Sequence, residues 1–441
     1  MRSLQDIDAS PTKAFFIDNL TRDLTLEDAV LDLIDNSVDA ATLSHRFDVS
    51  AKLLEHGPPE APAKSTIAVR IDSDRISVED DAGGIDPERA LREVFRLGRL
   101  SNPTRSSLGV YGIGLKRAVF KMGRRITITS THPRGAFRVA ITPDWLDDET
   151  NWTLPLEKIP PAAQHGTSVV VEQLRPEIAM RVGDPRLLKR LKDTIRTTYT
   201  LFLDRLIAVT LNGTPVEGKP IPIGHSEEIH PGQRHLDEDG VHVELLVGLA
   251  PRKDGVKWRT EQAGWYVLCN GRAVVFADKT ELTGWGAGGP QFAAKYRGFV
   301  GVAFFFSDDP SSLPWTTTKR GLNRESRIFQ LARNEMKSAA RPVLRFLNDM
   351  YPSDVKPETV QRDLTKQVSL VPLHELTARA GTSFRTPSVV KKDGPRMVNV
   401  QFKALVSDIE HAKKCIAKPK WSAKKVAEHA LRYFLRHECA E

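Results

Sequence analysis

From Glu27 to Ala41 the chain reads EDAVLDLIDNSVDAA. Leu26, Ala29, Val30, Leu33, Ile34, Ala40 and Ala41 recur at the spacing of one broad helix face. Thr25 is placed to cap this helix, with Asp28 as its capping-box partner three residues on. Asp28, Asp32, Asp35, Asn36 and Asp39 gather on the narrower opposite face, where like charges at helical neighbour spacing cost roughly a few tenths of a kcal/mol per pair. A solvated surface would tolerate that stripe. The other reading is that it faces a bound cation, because carboxylate and carboxamide oxygens are what Mg²⁺ takes.

Alternation of period two then takes over. Ile67, Val69 and Ile71, a Ser73-Asp74 turn, and Ile76 and Val78 predict a hairpin whose second strand ends at Asp80, broken by Ala82-Gly83-Gly84. Residues 87–98 read as helical and 99–107 as polar and flexible. In LGVYGIGLKRAVFKMG, three glycines lead into a short helix expected to close at Gly123. Arg125 to Thr129, Ala136 to Ile141 and HGTSVVVEQL are strands, and a first domain is expected to end near Leu174. Beyond it, Asp184 to Asp204 predicts one basic helix. IAVTLNGTPVEG is expected to start a second sheet, continued by EQAGWYVLCNGRAVV and RGFVGVAFFFS. SSLPWTTTKRGLN reads as a loop before a long helix from about Ser326 to Met350, and Pro352 and Pro357 mark a linker. WSAKKVAEHALRYFLRHE forms a basic helical end.

A length of 441 residues exceeds one ordinary core, so two or three domains are expected. Charge adds a location. Of the net +8, residues Val355 to Glu441 hold 17 basic and 9 acidic side chains, while the remainder carries 47 of each. Lys413, Lys414, Lys418, Lys420, Lys424 and Lys425 could contact nucleic-acid phosphates, in which case binding would fall steeply with salt. A solubilising tail or a docking helix remains the alternative, and Trp421, Tyr433 and Phe434 argue for some packed surface there. Cys269, Cys415 and Cys439 are widely separated, which disfavours a structural zinc and fits a reducing, cytoplasmic setting. No apolar run approaches a membrane span, and no signal-peptide pattern is visible, so no membrane association is expected.

Three separated pieces carry candidate chemistry: Asp32 and Asn36 on the acidic helix face, Asp80 at a strand end before glycines, and Gly109, Gly112 and Gly114 ahead of a helix whose first turn contains Lys116. A glycine run opening a helix offers free backbone N–H groups and the helix dipole to an anion. The spacing is not that of a Walker A loop, because no GK[ST] follows the glycines. No strand runs directly into the loop, so it does not read as a dinucleotide fingerprint either.

In order, D-x-x-x-N-x-x-D-A on a helix, D-x-x-x-G-I after a strand, G-x-x-G-x-G-L-K and a strand opening with G-T resemble the GHKL ATPase superfamily, the gyrase B, Hsp90, MutL, MORC and histidine-kinase group. The resemblance covers about residues 25 to 175. It implies an α+β chain: a Bergerat-fold ATPase domain over 1–175, with a mixed, largely antiparallel sheet covered by helices on one face, then a transducer-like domain of the ribosomal protein S5 type over 176–350. A basic C-terminal region, 351–441, follows. It implies ATP and Mg²⁺ as cofactors. Asn36 would hold Mg²⁺ against the phosphates, and Asp80 would accept a hydrogen bond from the adenine amino group. Gly84 would let the backbone approach the base, and Thr167 would support waters beside Asp80. Gly109, Gly112 and Gly114 would form the phosphate loop under a lid from about Leu91 to Val110, with Lys116 neutralising charge. Asp32 would be the general base and Lys319 the residue that contacts the γ-phosphate.

Two departures stand out. The hydrolysing branches usually carry Glu where this chain has Asp32, one methylene shorter, so turnover is expected to be slow. Ala82 stands where the first glycine of D-x-G-x-G is usual, which is tolerable if the backbone there is not left-handed. Asp28 and Asp35 are candidates to assist Asp32 but are expected at the surface. The resemblance implies an ATP-gated homodimer acting in DNA transactions or prokaryotic defence against phage. The alternative is a non-hydrolysing ATP-binding regulatory subunit for a separate effector protein such as a nuclease. A histidine-kinase role is disfavoured because no histidine precedes the motif helix.

Overall fold

The computed structural model describes residues 12–49, 64–96, 107–109, 112–252, 258–286, 288–350, 365–371, 373, 376, 380–387, 400 and 403–439. Most of the expected lid and the Pro352–Pro357 linker lie outside the described residues. The chain forms two compact units, Met1–Ser388 and Val389–Glu441.

The first unit opens with helices α1 (Lys13–Thr21) and α2 (Leu26–Ser44). The capping box forms as its sequence requires: the Asp28 backbone N–H donates to Thr25 Oγ1, and the Thr25 N–H donates to the Asp28 carboxylate at 3.0 Å. Leu26, Ala29, Val30, Ile34, Val38 and Ala41 of α2 are wholly buried. Strands β1 (Ser65–Ile71) and β2 (Arg75–Asp80) form the predicted hairpin, with Ile71 opposite Ile76. Among the described residues of the next stretch only Pro87–Arg89 is α-helical, and it widens into a π-helical turn at Ala90–Val94.

Helix α3 (Gly114–Met122) runs without a turn into β3 (Gly123–His132). The helix closes at Gly123 as expected, the Gly123 backbone N–H donating to the Val119 carbonyl, but without a left-handed turn. The Gly123 backbone is extended, and a Cβ there would stand 2.6 Å from the Glu172 carbonyl, so glycine is needed for strand packing. Strands β4 (Gly135–Ile141), β5 (Leu156–Ile159) and β6 (Gly166–Leu174) complete the antiparallel part of the sheet.

The predicted helix Asp184–Asp204 is two: α4 (Leu187–Thr198) and a short helix Thr200–Arg205, broken at Tyr199. Tyr199 is fully buried, and its hydroxyl donates toward helix α2. Strands β7 (Ile207–Leu211) and β8 (Thr214–Val216) correct another expectation. They do not begin the second sheet: β7 pairs in parallel with β1, Ile67 lying opposite Val209. The α4 excursion returns the chain to the open edge of β1, which needs a strand to satisfy its unpaired backbone groups. Among the described residues the first sheet has the order β5-β4-β3-β6-β2-β1-β7-β8.

The second sheet contains β9 (Gly224–His225), β10 (Gly232–Glu238), β11 (Val241–Leu249), β12 (Gly264–Cys269), β13 (Arg272–Asp278), β14 (Phe299–Ser307) and β15 (Ser369–Leu370). Its order is β13-β12-β14-β11-β9-β15, with β10 on β11. Every position of β14 is buried, as expected of a central strand covered on both faces. Helix α5 (Arg327–Met350) packs on β11 and β14 through Phe329, Met336, Val343 and Leu347.

The second unit carries α6 (Val406–Cys415) and α7 (Ala423–His437). Val426 is buried, whereas Leu431, Tyr433, Phe434 and Leu435 are exposed. No described helix is long and apolar enough to cross a membrane.

Candidate functional site

A cavity of about 580 Å³ lies between α2, the end of β2 and the start of α3, within the usual range for small-molecule sites. Asp32, Asn36, Asp80, Gly84, Gly109, Gly112, Gly114, Lys116, Thr167 and Lys319 all line it. Helix α2 carries Asp32 and Asn36 on one face by its own period. The hairpin ends β2 at Asp80 on the same side. The site is thus assembled from motifs up to 287 positions apart.

At one end, Asp80 is the last residue of β2 and sits opposite Thr167 at the start of β6. Its Oδ2 accepts the Ser37 hydroxyl at 2.7 Å, and its Oδ1 accepts the backbone N–H groups of Ala82 at 3.0 Å and Thr167 at 3.3 Å. Burial raises the Asp80 carboxyl above its ordinary range, while these three donors pull it down. Ser130 continues the polar wall: its hydroxyl shares a hydrogen bond with the Thr167 hydroxyl at 3.0 Å and accepts the Ile85 N–H at 2.8 Å. The strand ends meet without room for side chains. A Cβ on Gly166 would lie 1.9 Å from the Asp80 carbonyl, and one on Gly84, whose φ is +74°, would lie 2.0 Å from the Thr131 carbonyl. Ala82 is absent from the residues with positive φ, so its methyl costs nothing in backbone strain.

Gly84→Ala is expected to destabilise the domain by at least ~2 kcal/mol, from left-handed strain plus overpacking. A fall in the thermal midpoint checks this, and an unchanged midpoint would show that the strand junction relaxes freely.

At the other end, Gly112 turns at φ +65° and Gly114 opens α3. The Lys116 ammonium donates to the Gly112 carbonyl, folding the loop over the helix start. Asp39 fixes the preceding segment, accepting the N–H groups of Leu108 at 2.6 Å and Gly109 at 2.9 Å. Burial pushes the Asp39 carboxyl up to about 6 against the pull of those donors.

The acidic face of α2 is not a solvated stripe. Asp28 and Asp35, expected at the surface, are 5% and 1% exposed, because basic residues from later in the chain cover them. Asp35 Oδ1 accepts Arg272 Nε at 2.9 Å and the Tyr199 hydroxyl at 2.7 Å, and Asp35 Oδ2 accepts Lys319 Nζ at 2.6 Å. Burial works against ionisation of Asp35, yet Arg272 and Lys319 hold its carboxyl down at about 2. Arg272 also donates to the Lys319 carbonyl at 2.8 Å, which pins the loop in its left-handed turn. Asp28 is paired with Arg320.

Asp32 is equally occupied. Arg117 Nε donates to its Oδ2 at 2.5 Å and Nη2 to its Oδ1 at 2.8 Å, and Nη1 donates to the Thr317 carbonyl at 3.3 Å. Burial raises the Asp32 carboxyl, while the guanidinium pulls it down.

Asn36, by contrast, is exposed and lines the cavity. Among the described residues no group of three or more His, Cys, Asp or Glu is arranged to hold a metal ion. One carboxamide oxygen suits Mg²⁺ that takes its remaining ligands from phosphates and water.

Sequence reasoning missed Ser37, Tyr199, Arg117 and Arg272. Arg117 alone had a local signal, since it directly follows Lys116 in the first turns of α3. Arg272 follows an ordinary Asn-Gly turn, and only the meeting of two sheets gives it a role.

Residues 24–174 match the family described as histidine kinase-, DNA gyrase B-, and HSP90-like ATPase. Over 106 residues the chain is 26% identical to Protein MICRORCHIDIA 6 of Arabidopsis thaliana. That stretch is 24% of this chain and spans only 14% of the relative's length.

Proposed function

Residues 24–174 being a domain of the histidine kinase-, DNA gyrase B- and HSP90-like ATPase family, we propose that this protein is a Mg-ATP-dependent switch with slow hydrolysis to ADP and phosphate. The observation that carries the reading is that Asp80, Asn36 and the Gly112–Gly114 entry to α3 all line one cavity. The adenine amino group would donate to Asp80. The phosphates would lie along Gly109, Gly112 and Gly114, with Lys116 and Lys319 supplying positive charge. Asn36 would hold Mg²⁺, which when bound neutralises phosphate charge as a Lewis acid. Asp32 would orient the attacking water.

The division into 1–175, 176–350 and 351–441 goes with this proposal. So does an ATP-dependent homodimer in which Lys319 reports the nucleotide to the second domain. The charge of the C-terminal region supports nucleic acid as its contact. DNA transactions or defence against phage are the settings this suggests.

A second reading is favoured by one observation: both Asp32 oxygens are taken by Arg117. On that reading the chain binds ATP without hydrolysing it and regulates a separate effector. Calorimetry with Mg-ATP tests the site, and steady-state phosphate release separates the readings. Binding with turnover well below ~1 s⁻¹, abolished in Asp32→Ala, is the expected result. Tight binding without any wild-type turnover selects the regulatory subunit, and no binding at all overturns both.

A further inference from the structure

Arg117 lies one turn into α3, whose first residue is Gly114. A Cβ on Gly114 would stand 3.8 Å from Asp32 Cγ, so an anion seated against the start of α3 lies beside the Asp32 carboxylate. Arg117 and Asp32 are 6% and 3% exposed, and both line the cavity. A terminal phosphate at this place would meet a carboxylate of like charge whose cation is within reach of both. A guanidinium fork fits phosphate as well as it fits carboxylate. The same guanidinium donates through Nη1 to the Thr317 carbonyl, two residues before Lys319.

We propose that Arg117 is a γ-phosphate sensor, held by Asp32 when no third phosphate is present and transferred to the γ-phosphate when one is. The inference rests on the cavity being the Mg-ATP site and goes beyond it in two ways. It assigns Asp32 a second role as the competitor for Arg117. It also makes unmasking of Asp32 conditional on the third phosphate, so the carboxylate becomes available as a base only when there is a bond to hydrolyse. Withdrawal of the guanidinium removes the Thr317 contact, which carries the same signal to the loop of Lys319.

The test compares Mg-ATP with Mg-ADP by calorimetry on the full chain. Arg117→Gln is expected to weaken ATP by about tenfold or more, the loss of a charge-assisted pair, with ADP changed less than twofold. Asp32→Asn frees the guanidinium from its anionic competitor and is expected to tighten ATP about fivefold, again sparing ADP. Arg117→Gln in the Asp32→Asn background should cancel that gain. Arg117→Lys keeps the charge without the fork, giving an intermediate loss, and serves if the glutamine variant melts early in the absence of nucleotide. A structural ion pair predicts equal changes for both nucleotides. If wild type binds both and the variants shift them equally or not at all, the sensor is overturned while the ATP site stands. If wild type binds neither, the site reading has failed and the sensor with it.

Discussion

Replacing Asp35 with alanine is expected to lower the unfolding free energy by about 3–5 kcal/mol, the usual cost of breaking a buried ion pair from one side. The carboxylate is 1% exposed and compensates two cations, Arg272 and Lys319, that are themselves 4% and 8% exposed. Removing it leaves both charges buried beside a Tyr199 hydroxyl that keeps only the Leu31 carbonyl. Asp35→Asn tests charge separately from shape and should recover little of the loss.

The pH dependence has a definite sign. Asp35 is held at about 2 in the fold against an ordinary 3.8, so its stabilising contribution is fully present above 3.8 and disappears as pH falls through about 2. The difference in urea midpoint between wild type and variant should therefore narrow between pH 4 and 2. A difference independent of pH in that window would show that packing, not charge, is what the residue supplies. Because Asp35 belongs to α2 while Arg272 and Lys319 belong to the second sheet and its loop, the first sign of the lesion should be loss of contact between these parts. Protease cleavage near Lys319 before global unfolding would report it.

Asp80→Asn is expected to raise the dissociation constant for ATP about 100-fold and to invert the preference between adenine and guanine nucleotides. Asp80 Oδ1 accepts two backbone N–H groups, from Ala82 and Thr167, so the amide must keep its oxygen there. Its NH₂ then replaces Oδ2, the oxygen that accepts from Ser37 and that adenine would use. The Ser37 hydroxyl can rotate and become an acceptor, but the adenine amino group meets a donor and loses a charge-assisted bond of about 1.5–3 kcal/mol. Guanine presents a carbonyl at that place and gains the partner that adenine loses. Competition binding of ATP and GTP on the two proteins reads the result directly. Equal weakening of both would place the base elsewhere in the cavity.

Local order explains what could be read from the chain alone. Helical period, capping box and acidic stripe are short-range properties, and so are the alternating strands and glycine breaks. They sufficed for α2, for the β1–β2 hairpin ending at Asp80, and for the Gly112–Gly114 entry to α3. The order of four motifs then pointed to the nucleotide-binding family.

The tertiary structure decided which charges meet. Asp32 finds Arg117 85 residues away, and Asp35 finds Arg272 and Lys319 at separations of 237 and 284. No periodicity carries information over such distances. An aspartate on a polar face looks the same whether water or a distant arginine covers it, so the sequence alone puts Asp28 and Asp35 at the surface. For the same reason β7, a well-formed strand in the sequence, could not announce that its partner was β1: alternation specifies which face is buried and says nothing of which edge is open.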